Sequence, residues 1–211
     1  MYCCVVHKYK LIVLFTPRVM SSKLKKWVWV NLLGNAEIPL NDSHLHVPNN
    51  PHVLDALRKH PDYFSFLIVR DPLQRFRSTL DHPIIEKWEF PRDDKLVDRL
   101  IAKVAAEMPS PHKMNEHIQP QWVSCVRPAP GQLTEVLTHI KTIYAMEDPE
   151  LISKLNSQLK TRHIPLLTPS VDRPHARKST YVFSDSQMSQ LMSLYKHDVV
   201  LWKATVPLDE C

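Results

Sequence analysis

An α/β domain around a mostly parallel sheet is predicted by three short apolar runs of strand length, at residues 11–15 (LIVLF), 64–69 (FSFLIV) and 142–146 (TIYAM). Each run leads into a segment with helical signals, and strands alternating with helices are the signature of parallel pairing. The size agrees: 211 residues, 44% hydrophobic and 23% charged, suit one folded domain spanning residues 1–211. A chain of this length buries roughly 70% of its unfolded surface, so it needs neither disulfides nor a structural metal.

The first run is closed by Thr16-Pro17, and Ser21-Ser22 then precede KLKKWVWVNLLG. Serine is a good N-cap and Gly34 a good residue just past a helix end, which predicts a helix over residues 23–33, although WVWV alone prefers a strand. Residues 35–52 read as an irregular connection, followed by a helix over residues 53–59. The run at 64–69 ends in Arg70-Asp71-Pro72, with proline at the expected first helical position. Residues 93–107 place Leu96, Val97, Leu100, Ile101 and Val104 on one stripe after an acidic start, an amphipathic helix. A helix over 148–158 follows the third strand, residues 161–180 are Pro-rich and basic, and one last helix is expected over 185–202. Trp27, Trp29 and Trp202 sit in apolar stretches and read as core.

Lys+Arg 27 against Asp+Glu 22 gives a formal charge of +5 and a basic surface that favours an anionic partner. Only two glycines are present, Gly34 and Gly131, and none precedes residue 34, so a G-x-x-x-x-G-K-[ST] nucleotide loop is excluded. Cys3, Cys4, Cys125 and Cys211 form no C-x-x-C pair, so neither a zinc site nor a disulfide framework is signalled and a reducing compartment fits. The longest apolar run near the start is too short for a signal or membrane-spanning segment. No nucleic-acid-binding motif is recognised.

In an open parallel sheet, ligands bind beyond the carboxyl ends of the strands. Those ends are PRVMSSKLKK (residues 17–26) and RDPLQRFRS (residues 70–78). The first puts Ser21, Ser22 and Lys23 at a helix start, where free N–H groups favour phosphate or sulfate. The second puts Arg70 at a strand end with Arg75 and Ser78 on the next helix, and an Arg fork holds a phosphate bidentately. Two anion clamps on adjacent strands imply a ligand with two separated phosphate-like groups.

The pair resembles the sulfotransferase superfamily, whose 3′-phosphate motif reads R-[DH]-P-x-x-R-x-x-S and is matched by Arg70, Asp71, Pro72, Arg75 and Ser78. Its 5′-phosphosulfate loop reads P-K-x-x-[ST]-[ST]. Pro17, Ser21 and Ser22 fit that loop, while Arg18 stands where the family has Lys, Met20 where it has Gly or Ala, and Leu24 where Trp is frequent. NEHIQPQWVSC (residues 115–125), TIYAMEDPEL and LYKHDVVLW are similar to segments of the Golgi-type carbohydrate sulfotransferases and their bacterial relatives, sulfotransferase family 2. His44-Leu45-His46 is similar to the His-x-His of uronyl 2-O-sulfotransferases.

The resemblance implies a P-loop-like sheet flanked by helices and sulfuryl transfer from 3′-phosphoadenosine 5′-phosphosulfate (PAPS) to a carbohydrate hydroxyl, with no metal. It assigns Arg18, Ser21, Ser22 and Lys23 to the 5′-phosphosulfate and Arg70 and Ser78, with Arg75, to the 3′-phosphate; Lys178 is a further cation within possible reach of the nucleotide. Arg18 and Lys23 would stabilise the leaving phosphate, and His46, then His44, then His117 are the candidate bases. A catalytically impaired nucleotide- or glycan-binding relative is the alternative. A cytoplasmic location is expected, or the Golgi lumen if an anchor precedes this sequence.

Overall fold

The computed structural model describes residues 3–34, 52–125, 132–168 and 181–205, with Ser124 and Cys125 described in backbone only. His44, His46 and Lys178 therefore lie outside the described residues. Four strands form one sheet in the order β1-β2-β3-β4: β1 (Cys3–Val6), β2 (Leu11–Leu14), β3 (Phe64–Val69) and β4 (Thr142–Ala145). β2, β3 and β4 are mutually parallel. β1 is antiparallel to β2, with Cys3 opposite Leu14.

The expected strands are present, and the expectation is extended by β1, a four-residue strand at the start of the chain. A tight turn over His7–Tyr9, ending at Lys10 with φ 47°, folds β1 back on β2. Both Cys3 and Cys4 are buried free thiols, and burial pushes each up to about 12, where they are inert hydrophobes.

Alternation along the strands divides the sheet between two apolar layers. Val13, Phe66 and Ile68 face a layer closed by α1 (Ser21–Trp27) and α8 (Leu151–Lys160). Ile12, Leu14, Leu67 and Val69 face the other, closed by α2 (Val53–Lys59), the short α6 (Trp122–Cys125) and α7 (Leu133–His139). A third apolar cluster joins α3 (Pro72–Leu80), the short α4 (Ile84–Lys87), α5 (Leu96–Glu107) and α9 (Asp185–Leu194).

Two helix expectations are corrected. The segment after α1 continues as a π turn over Val28–Leu32, Leu33 N–H donating to Val28 O at 3.0 Å, before Gly34 ends it at φ 72°. The expected final helix is two: α9 stops at Tyr195 and α10 (Lys196–Lys203) begins there. Tyr195 is 2% exposed and its hydroxyl donates to Ile118 O at 2.8 Å, a tertiary bond that fixes the break. No helix among the described residues is long and apolar enough to cross a membrane.

Candidate functional site

The carboxyl ends of β2, β3 and β4 open on one side of the sheet, and the polar loops follow them. After β2 the chain makes a tight turn, with Val19 N–H donating to Thr16 O at 3.2 Å and with Arg18 (φ 65°) and Met20 (φ 53°) in the left-handed region. That conformation explains why glycine suits the position Met20 occupies in the resembled loop. The first helical bond runs from Leu24 N–H to Met20 O at 2.9 Å. Met20 thus takes the N-cap position that Ser21 or Ser22 was expected to fill, and both serines lie inside the first turn with Lys23. Their N–H groups belong to the turn whose donors an α-helix leaves without intrahelical acceptors. Partial burial holds the Lys23 ammonium below its ordinary value.

After β3, Asp71 caps α3 by accepting from Gln74 N–H at 2.8 Å, and Pro72 follows at the first helical position. Arg70, its side chain 23% exposed, reaches Glu147 across 3.7 Å at the end of β4. Glu147 also accepts from Asp71 N–H at 3.2 Å, and its burial pushes the carboxyl up. Arg70 itself is anchored by Gln121: Arg70 N–H donates to Oε1 at 2.9 Å, and Gln121 Nε2 donates back to Arg70 O at 2.7 Å.

Arg75 is 2% exposed. Its Nε donates to Pro17 O at 3.2 Å and its Nη2 to Glu116 O at 3.0 Å, so one guanidinium joins the loop after β2 to the segment around residue 117. Ser78 Oγ donates to Arg75 O at 2.6 Å, and Ser78 O accepts from Arg18 Nη2 at 3.2 Å. Arg18, from the loop after β2, is brought together in this way with Arg70 at the end of β3 and with Arg75 and Ser78 on α3, some fifty residues further along the sequence.

Electrostatically the cluster is cationic. Burial, then the neighbouring Arg75 and Arg70 charges, hold Arg18 below its ordinary value, with Glu116 opposing them. Arg18 Nε is buried without a hydrogen-bond partner among the described residues. A buried cationic donor left unmatched is costly, and an anion placed beside it removes the cost.

His117 stands beside this cluster, stacked on His82 with ring centroids 4.0 Å apart. His82 Nδ1 accepts from Ile84 N–H at 3.1 Å, which leaves the proton of the neutral ring on Nε2. Burial, then His82, Arg18, Arg75 and Lys87, push His117 down to about 3, and its Nδ1 is buried without a partner among the described residues. The segment carrying His117 is fixed by Thr79 Oγ1 donating to His117 O at 2.8 Å and by Asp198, which is fully buried and accepts from Gln121 and Trp122 N–H at 2.8 and 2.9 Å.

His82, Gln121 and Asp198 were not singled out from the sequence as site residues. Twelve histidines hide any one of them, and Gln121 and Asp198, although they lie in the NEHIQPQWVSC and LYKHDVVLW segments, carry no sign there that they brace a backbone. No group of three or more potential metal ligands occurs among the described residues.

The family model described as "Sulfotransferase family" matches residues 2–203. The chain belongs to the sulfotransferase family. No curated protein and no solved structure matches it. The matched stretch takes in β1 and reaches the end of α10, so both cationic loops and the buried braces behind them fall within the sulfotransferase region.

Proposed function

We propose that this sulfotransferase-family protein transfers the sulfuryl group of PAPS to a carbohydrate hydroxyl. The observation that carries the reading is the convergence of Arg18, Arg70 and Arg75 at the carboxyl ends of adjacent parallel strands, with Arg18 Nε buried and unmatched. Such a site favours a polyanion, and the family's donor carries two separated phosphate-like groups.

In the reaction an acceptor oxygen attacks sulfur in line, the bond from sulfur to the bridging phosphate oxygen breaks, and 3′-phosphoadenosine 5′-phosphate departs. Arg18, Lys23 and the first-turn N–H groups of Ser21 and Ser22 take the charge that grows on the departing phosphate. Arg70 and Ser78 hold the 3′-phosphate. Arg75, occupied by the carbonyls of Pro17 and Glu116, acts by positioning the Arg18 loop. The hydroxyl proton passes to a histidine, with His46, His44 and His117 as the candidates. For His117, burial first and then the surrounding cations depress its basicity, and a bound dianion offsets the cations, though not the burial, which raises the imidazole part of the way toward the range useful for proton acceptance.

Calorimetric titration with 3′-phosphoadenosine 5′-phosphate, against adenosine 5′-phosphate, tests the donor site. Micromolar binding that requires the 3′-phosphate is expected, and equal weak binding of both nucleotides would overturn it. Arg18 and Met20 favour attention to a second reading, a relative that binds the donor without turnover. Consumption of bound PAPS in the presence of glycan acceptors separates the two.

A further inference from the structure

The opposite pole of the sheet carries a second basic site. Lys10 and Phe64 immediately precede or open the parallel strands β2 and β3, and Arg162 and His163 follow α8 to the same end. Together with Lys8 and Tyr9 they line a cavity of about 560 Å³. Six residues of β3 separate this end from Arg70, about 20 Å at the rise of a strand.

Its charges are unbalanced. The carboxylate in the lining, Asp62, is taken by Lys10 at 3.2 Å. Lys8 Nζ lies 5.0 Å from the centre of the Tyr9 ring, and the Arg162 guanidinium lies 4.3 Å from that of Phe64. Arg162 Nη1 donates to oxygens of Gln158 and Thr161, and no carboxylate meets Lys8 or Arg162 among the described residues. Lys10 and His163 both adopt left-handed φ, 47° and 54°, a conformation unfavourable for residues with a side chain and kept where surrounding structure imposes it.

We propose that this cavity binds an anionic sugar segment of a polysaccharide, as a site separate from the sulfuryl-transfer centre. The half-buried Tyr9 ring offers an apolar surface to pyranose C–H groups, Phe64 is buried beneath Arg162, and Lys8 and Arg162 at the rim offer charge to a carboxylate or sulfate. The choice of a sugar rests on the acceptor class proposed above; the anion preference rests on the cavity alone. A chain that engages both ends of the sheet passes over the flanking helices, a path longer than the ~20 Å through buried β3, and linked contacts of this kind raise the effective concentration of acceptor at the centre.

The test is calorimetric titration of the full chain with a sulfated chondroitin hexasaccharide, with maltohexaose as the neutral control. The double variant Lys8→Ala/Arg162→Ala is expected to bind the hexasaccharide at least tenfold more weakly and to bind 3′-phosphoadenosine 5′-phosphate unchanged. Lys196→Ala/Lys203→Ala, which removes two exposed cations elsewhere, is expected to change neither. Arg70→Ala is expected to lose the nucleotide and keep the hexasaccharide, so failure of the donor assignment leaves this readout standing. Lys8→Ala alone, with an unchanged circular dichroism spectrum, guards against misfolding and should show part of the loss. Absence of hexasaccharide binding, equal binding of maltohexaose, unchanged binding by the double variant, or an equal loss in the Lys196/Lys203 control would each overturn the proposal.

Discussion

Gln121 and Arg70 exchange two hydrogen bonds, side-chain amide to main-chain amide, at 2.9 and 2.7 Å. The glutamine stands where a further strand residue would pair, so the backbone of Arg70 stays fixed as the chain leaves β3. Gln121 is held in turn by Asp198, whose carboxylate accepts its N–H and that of Trp122. A buried acid on α10 therefore braces a cation at the mouth of the sheet through one intermediate residue.

Gln121→Ala removes both bonds and leaves the Arg70 N–H and C=O without their partner. At about 1 to 3 kcal/mol for each unsatisfied group, and toward the lower end because both are only part-buried, urea unfolding should show a loss of about 2 to 3 kcal/mol. Affinity for 3′-phosphoadenosine 5′-phosphate should fall with it, because Arg70 is no longer held. A variant as stable as the parent would show that the brace is idle.

Arg70→Ala and Arg75→Ala should separate binding from folding. Arg70 has a long ion pair with Glu147 and a partly exposed side chain, so its loss should weaken nucleotide binding by about 2 to 4 kcal/mol, with little change in stability. Arg75 is buried and serves the carbonyls of Pro17 and Glu116. Its loss should destabilise the fold by about 2 to 4 kcal/mol in denaturant titration. If Arg75→Ala weakened binding while leaving the unfolding midpoint unchanged, Arg75 would be a direct phosphate ligand.

Arg18→Met keeps much of the side-chain volume and removes the charge aimed at the leaving phosphate. Turnover should fall by about a hundredfold to a thousandfold, the scale for losing one preorganised donor. Single-turnover transfer from PAPS measures it, and unchanged transfer would move leaving-group stabilisation to Lys23 and the helix start.

Which parts were legible in the sequence follows from what each depends on. β2 and β3 are short runs buried along their whole length in a parallel sheet, so composition alone exposes them, while β4, at the sheet edge with only Tyr144 buried, is revealed by its β-branched and aromatic residues. β1 has only CCVV to announce it and depends on pairing with β2. Ser21 and Ser22 look like caps, yet the cap position is decided by the left-handed turn at Met20, a tertiary outcome of the loop between Thr16 and Leu24. The motif spacing identifies Arg70 and Arg75 as a pair, while their division into an accessible cation and a buried strut depends on carbonyls at residues 17 and 116. His82 is invisible for a related reason: its stacking on His117 joins residues 35 positions apart that share no motif.

The stacked histidines give stability a pH dependence with a definite sign. His117 is pushed down to about 3 in the fold, chiefly by burial, from an ordinary value of 6.5, and His82 is lowered for the same first reason. As pH falls through about 6.5 the unfolded chain binds protons that the folded chain refuses, so stability is complete above that pH and declines below it, until about pH 3 for His117. Between pH 7.5 and 5 the loss from His117 alone is about 1 to 2 kcal/mol. Urea unfolding at the two pH values should show that loss in the parent and a smaller one in His117→Gln, which carries no titrating group. Saturating 3′-phosphoadenosine 5′-phosphate should lessen the parent's dependence without abolishing it, because the bound anion offsets Arg18 and the other cations that oppose protonation while the burial remains. An equal pH dependence in His117→Gln would place the titrating group elsewhere and remove the reason for regarding His117 as the imidazole most sensitive to the donor.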